Sequence, residues 1–144
     1  MLFRLGLIIN PLAGIGGSVA LKGSDGAETV KTAFQLGAQP LAQDRTRSAL
    51  EQIQQYKDEI KIYTSANAMG EDLCEQMGFN FTVVSQNTVN QTSADDTESA
   101  VRQLLEQGID LLLFVGGDGT ARNVFNVIQD QPLPVIGIPA GCKI

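Results

Sequence analysis

Asp110-Leu111-Leu112-Leu113-Phe114-Val115 runs directly into Gly116-Gly117-Asp118-Gly119-Thr120, and this junction organises the rest of the chain. The first half is a short apolar run with the length and composition of a strand buried on both faces. Behind the glycines, Ala121, Val124, Phe125 and Ile128 fall at the i, i+3, i+4, i+7 spacing of a helix with one apolar face. The glycines therefore occupy a strand-to-helix turn. Without a Cβ, Gly116, Gly117 and Gly119 permit positive φ and the close approach of a ligand to the main chain. The following helix aims its unpaired N–H groups and the positive end of its dipole at the same point, which suits a phosphate. Asp118 does not suit an anion site unless a metal ion or a donated hydroxyl proton intervenes. It reads either as a cap on the next helix or as a hydroxyl acceptor, general base or Mg²⁺ contact where phosphate and sugar meet.

Composition narrows the chemistry. The chain has 144 residues, 43% of them apolar, which predicts one compact domain over 1–144 with a single core. A formal net charge of −6, without a dense Lys/Arg cluster, argues against nucleic-acid and anionic-membrane partners. With no histidine, imidazole bases and most transition-metal sites are excluded, so catalysis would rest on carboxylates. No acidic cluster has the spacing of a direct protein metal site. Cys74 and Cys142 are far apart in sequence and form no metal-ligand pair, which fits a reduced, cytoplasmic protein. Met1 to Ile9 is apolar but lacks the charged leader and cleavage site of a signal peptide, so a first strand, Phe3 to Ile9, is expected.

Outward from the central turn, strands alternate with helices. Asn10-Pro11-Leu12-Ala13-Gly14-Ile15-Gly16-Gly17-Ser18 is a second glycine-rich loop after a strand. It matches neither the dinucleotide nor the P-loop fingerprint, and reads as a phosphate-facing loop or as a close-packed turn. Lys22-Gly23-Ser24-Asp25-Gly26 is a further turn carrying a cation and a carboxylate. Ala27, Val30 and Phe34 mark a helix, and Thr46 to Tyr56 a second, surface-lying one with Ala49, Ile53 and Tyr56 on its apolar side. Glu59 to Tyr63 and Phe81 to Val84 read as strands. Met69, Leu73 and Met77 stripe a helix closed by Gly78. Asp95 and Asp96 sit in the first turn of a helix with Val101, Leu104 and Leu105 inward, which makes them dipole partners and no catalytic pair. Pro134 to Ile138 is the last strand. The alternation predicts an α/β fold, a doubly wound, mostly parallel sheet with helices on both faces. The loops Asn10 to Gly17, Ser65 to Asn67, Ser85 to Asn87, Gly116 to Thr120 and Ala140 to Lys143 would share its carboxyl edge, where such sheets bind ligands.

Gly116-Gly117-Asp118-Gly119-Thr120, with Ala121-Arg122-Asn123 behind it, resembles the GGDGT signature shared by NAD kinases and the diacylglycerol and sphingosine lipid kinases. Asn10-Pro11 with Ala13-Gly14 is similar to the entry motif of both branches. Gly16-Gly17, Lys22-Gly23-Ser24-Asp25-Gly26 and Gly137-Ile138-Pro139-Ala140-Gly141-Cys142-Lys143-Ile144 resemble the ATP-NAD kinase-like proteins related to the acetoin-catabolism protein X. The resemblance implies the N-terminal domain of a phosphotransferase that uses Mg²⁺ with ATP, or in some relatives polyphosphate, to phosphorylate the 2′-hydroxyl of NAD to NADP. It implies Asp118 as the catalytic proton acceptor. Asn10, Gly14, Gly16, Gly17, Gly116, Gly117, Gly119, Thr120 and Arg122 are implied as nucleotide contacts, with Lys22, Asp25 and Lys143 as weaker ones. Arg122 and Lys143 read otherwise as solvated surface cations, the commoner role for such residues. The alternatives are a lipid kinase domain, or a nucleotide-sensing module of the same fold without turnover. Family members continue into a β-rich second domain with an Asn-Glu motif, absent from this chain. The isolated chain is therefore expected to be inactive and, through an exposed apolar face, to form homo-oligomers.

Overall fold

The computed structural model describes residues 2–10, 42–85 and 94–139, with residues 94–96 described by their backbone alone. Strand β1 is Phe3–Ile9, helix α1 Ala42–Glu51, β2 Ile60–Ser65, α2 Glu71–Met77 and β3 Asn80–Ser85. Then follow α3 Ala94–Leu105, β4 Leu111–Gly116, α4 Asp118–Ile128 and β5 Val135–Pro139. Short 3₁₀ turns at Gln54–Glu59 and Asn67–Met69 precede β2 and α2. The helix expected around Val30 lies outside the described residues.

All five strands are parallel, in the order β3-β2-β1-β4-β5. Each strand alternates its side chains between two cores. On one face Leu5, Leu7 and Ile9 of β1 and Leu113 and Val115 of β4 pack with Ala42 and Leu50 of α1 and Leu73, Cys74 and Met77 of α2. On the other, Ile8 and Leu112 pack with Ala100, Val101 and Leu104 of α3 and Val124 of α4. The sheet is doubly wound, and its inner strands read as continuous apolar runs because both faces are covered.

Local signals explain most boundaries. Helix α2 ends where Gly78 adopts φ 76°. There the Gly78 N–H donates to the Glu75 carbonyl at 3.2 Å and the Phe79 N–H to the Cys74 carbonyl at 3.1 Å, the paired bonds of a Schellman cap. At the same amino edge of the sheet, the Arg4 N–H donates to Asp110 Oδ2 at 2.9 Å and the Asp110 N–H to the Arg4 carbonyl at 2.7 Å. This exchange joins the start of β1 to the start of β4.

Two helices differ from the sequence expectation. Helix α1 begins at Ala42 and buries Ala42, Thr46 and Leu50, whereas Tyr56 is 50% exposed and outside the α-helix. Thr46 escaped the apolar pattern because its hydroxyl is satisfied inside the helix, donating to the Ala42 carbonyl at 2.7 Å. In α4 the inward face is centred on Thr120 and Val124, with Val127 and Ile128 partly buried, and Phe125 is 61% exposed.

Candidate functional site

In the order β3-β2-β1-β4-β5 the chain leaves β1 toward β2 on one side and returns to β4 on the other. The carboxyl ends of β1 and β4 therefore flank the topological switch point, where connections diverge and leave a crevice. Ile9 of β1 pairs with Val115 of β4, so Asn10 and the glycine turn leave the sheet side by side. The Asn10 N–H donates to the Val115 carbonyl at 2.9 Å, and Asn10 Nδ2 donates to Thr120 Oγ1 at 3.0 Å. Two of the residues expected at the site, 110 positions apart, are thus in direct contact.

Within the turn the residues divide by environment. Gly116 and Thr120 are buried, while Gly117, Asp118 and Gly119 are exposed. A Cβ on Gly116 would overlap the Thr120 side chain, with Cγ2 only 2.8 Å away, so glycine there is an internal packing requirement. At Gly117 and Gly119 a Cβ would meet nothing within 4 Å. Nor does either need positive φ: Gly117 is extended at φ −106°, Gly119 is helical, and the described positive-φ glycines are Gly70, Gly78 and Gly108. The expectation of left-handed backbone in this turn is corrected accordingly. What Gly117 and Gly119 leave is open space over a helix N-terminus.

Gly117 is the N-cap of α4 and makes no side-chain capping bond, since it has no side chain. The first intrahelical bond runs from the Ala121 N–H to the Gly117 carbonyl at 3.0 Å. Helix geometry therefore leaves the Asp118, Gly119 and Thr120 N–H groups without intrahelical partners. Asp118 occupies the first helical position. Its carboxylate makes no hydrogen bond or ion pair among the described residues and lies exposed beside those donors. The reading of Asp118 as a mere cap does not hold, because the cap position belongs to Gly117.

Other expected contacts fall elsewhere. Arg122 is exposed on α4. Gly14, Gly16, Gly17, Lys22, Asp25 and Lys143 lie outside the described residues, as does most of the loop after β3. At the end of β2, Ser65 is committed inward: its hydroxyl donates to the Ser85 carbonyl at 3.1 Å, and the Ala66 N–H donates to the same carbonyl at 2.9 Å. Asn67 is exposed with φ 57°, and its N–H donates to Glu71 Oε1 at 2.8 Å. Its left-handed turn adds a polar wall to the same edge. The sequence signal for it was weak, an Asn followed by Gly70 and acidic residues in an otherwise apolar stretch.

Cys74 is fully buried under α2, and burial pushes its thiol up to about 12, which makes it a core side chain and no nucleophile. Among the described residues no group of three His, Cys, Asp or Glu side chains is placed to hold a metal ion, and no helix is long and apolar enough to cross a membrane. No curated protein matches the chain in sequence. The sequence profile described as the ATP-NAD kinase N-terminal domain matches residues 5–144, which include both glycine-rich loops and every described strand except the first residues of β1. This match over most of the chain, with which the doubly wound parallel sheet agrees, shows that the chain belongs to the ATP-NAD kinase N-terminal domain family.

Proposed function

We propose that this chain is the nucleotide-side domain of a phosphotransferase that moves the γ-phosphoryl group of ATP to the 2′-hydroxyl of NAD, yielding NADP and ADP. The observation that carries the proposal is the exposed Asp118 carboxylate, without a partner among the described residues and set between two glycines with open space above them at the N-terminus of α4. A phosphate docked on the Asp118, Gly119 and Thr120 N–H groups meets favourable partial charge, and Gly117 and Gly119 admit it to the main chain. Asp118 then faces the acceptor hydroxyl. As the ribose oxygen bonds to the γ-phosphorus, the bond from that phosphorus to the bridging oxygen breaks and ADP leaves with its electron pair. The hydroxyl proton passes to the Asp118 carboxylate and from there to solvent.

Mg²⁺ fits this site as a partner of the nucleotide. A magnesium ion bound through phosphates needs only one or two protein carboxylates, and Asp118 is available for that contact. When bound, the ion neutralises charge on the transferring group. The loop from Asn10 to Gly17 is proposed as the facing wall. The remainder of the acceptor site is proposed to come from a β-rich domain of the kind the family resemblance implies. A homo-oligomeric, cytoplasmic protein belongs to the same proposal.

The test is transfer of label from γ-labelled ATP with Mg²⁺ to NAD, using the protein expressed from its full coding sequence. Labelled NADP from the parent protein, and a loss of roughly two to four orders of magnitude in Asp118→Asn, is the expected result. Label appearing on diacylglycerol and not on NAD would reassign the acceptor. Nucleotide binding without turnover, unchanged by Asp118→Asn, would make the domain a sensor.

A further inference from the structure

We propose that Asn10 is a positioning residue: its side-chain amide holds the Gly116–Thr120 turn in one conformation through the Thr120 hydroxyl, and it acts on the nucleotide through that turn. The inference rests on the reading of the turn as the nucleotide site, although the latch itself exists without ligand.

The contacts close a ring. The main chain of Asn10 is fixed to the last residue but one of β4, its N–H donating to the Val115 carbonyl at 2.9 Å. Its side chain crosses to Thr120, with Nδ2 to Oγ1 at 3.0 Å. Thr120 is buried, 3% exposed, and its side chain lies against the Cα of Gly116, leaving no room for a Cβ there. Gly116 is bonded to Val115, where the ring began. Both ends of the turn are thereby clamped, while the three residues between them, Gly117, Asp118 and Gly119, carry no side-chain packing of their own. Two of those three are glycines, whose backbone freedom would otherwise spread the turn over many conformations. A catalytic carboxylate and a set of phosphate-facing N–H groups need a fixed geometry, and displacement by about 1 Å can cost on the order of a hundred-fold in rate. The Asn10–Thr120 bond is the described contact that supplies this restraint from outside the turn.

The test is a double-mutant cycle on Asn10→Ala and Thr120→Val, with Thr120→Ser as the conservative rescue. Amide exchange of Asn10 and Ala121, whose N–H groups bond to the Val115 and Gly117 carbonyls at the two ends of the turn, is measured without nucleotide, and β4 amides report global stability. Each single substitution is expected to speed exchange in the turn by roughly 2- to 12-fold, the equivalent of one hydrogen bond. The double mutant should be no faster than the worse single, and Thr120→Ser, which keeps the hydroxyl, should stay near the parent. In the phosphotransfer assay, Asn10→Ala and Thr120→Val should lower kcat by roughly ten-fold or more with a smaller change in KM for ATP, and Thr120→Ser should restore kcat. Additive effects on exchange, no rescue by serine, or an Asn10→Ala protein with parental exchange and a raised KM at unchanged kcat would overturn the proposal, the last by making Asn10 a direct ligand contact. A cycle that behaves as expected in a protein that transfers no phosphate would support the latch and sink the kinase reading.

Discussion

At the residue scale, the glycine turn separates internal from external requirements. Gly116 serves the fold, since its missing Cβ is the space that Thr120 fills. Gly116→Ala should therefore destabilise the domain by about 1–3 kcal/mol, seen as a lowered midpoint in denaturant. Gly117 and Gly119 serve nothing that the fold requires, because a Cβ at either would meet no atom within 4 Å. Gly119→Ala should raise stability by up to ~1 kcal/mol through helix propensity, yet weaken Mg-ATP binding. Calorimetry of both quantities on one sample checks this, and unimpaired binding would remove the ligand-approach argument. Asp118 belongs to the external class too. Its carboxylate supports the fold only through the dipole of α4, so Asp118→Asn should cost no more than about 1 kcal/mol of stability while abolishing most transfer. A large loss of stability would instead make Asp118 structural.

At the element scale, the boundaries most legible in the sequence were those with a backbone cause. Gly78 closes α2 because the Schellman cap needs a left-handed residue there, and its φ is 76°. Gly78→Ala should cost about 1–2 kcal/mol, measured by urea unfolding with an unchanged slope. Strand β4 was read from its apolar run alone and is buried on both faces as expected. Helix faces were less legible. Thr46 looks polar by type but is buried because its hydroxyl folds back on Ala42, and Phe125 looks like a core residue but is exposed. Periodicity weighs residue type, whereas burial depends on which side of the helix meets the sheet. In α4 that side is set by Thr120, whose hydroxyl is satisfied by Asn10.

At the scale of the whole molecule, stability at high pH has one buried thiol among the described residues to accommodate. Cys74 sits in the core between sheet and α2, and burial pushes it up from 9.0 to about 12. A thiol that keeps its proton in the fold but loses it when unfolded contributes stability that is full below about pH 9 and is lost as pH rises toward 12. Cys74→Ala should be less stable than the parent at pH 7, because it leaves a cavity. Its stability should then fall less steeply above pH 9, by as much as about 1.4 kcal/mol per pH unit. Parallel curves for parent and variant would show that the thiol titrates as freely in the fold as out of it.

What the sequence by itself determined is the alternation of strand and helix, the double-sided burial of the strands and the glycine turn ahead of α4, because each of these follows from residue type and spacing over a few turns of chain. Only the tertiary structure decided that β1 lies parallel beside β4, with the winding of the connections changing side between them, which sets Asn10 against Thr120 at the turn that carries Asp118. Strand order is a choice among non-local pairings that similar apolar runs satisfy almost equally well, so it is settled by how the helices cover both faces and is written in no single stretch of the chain.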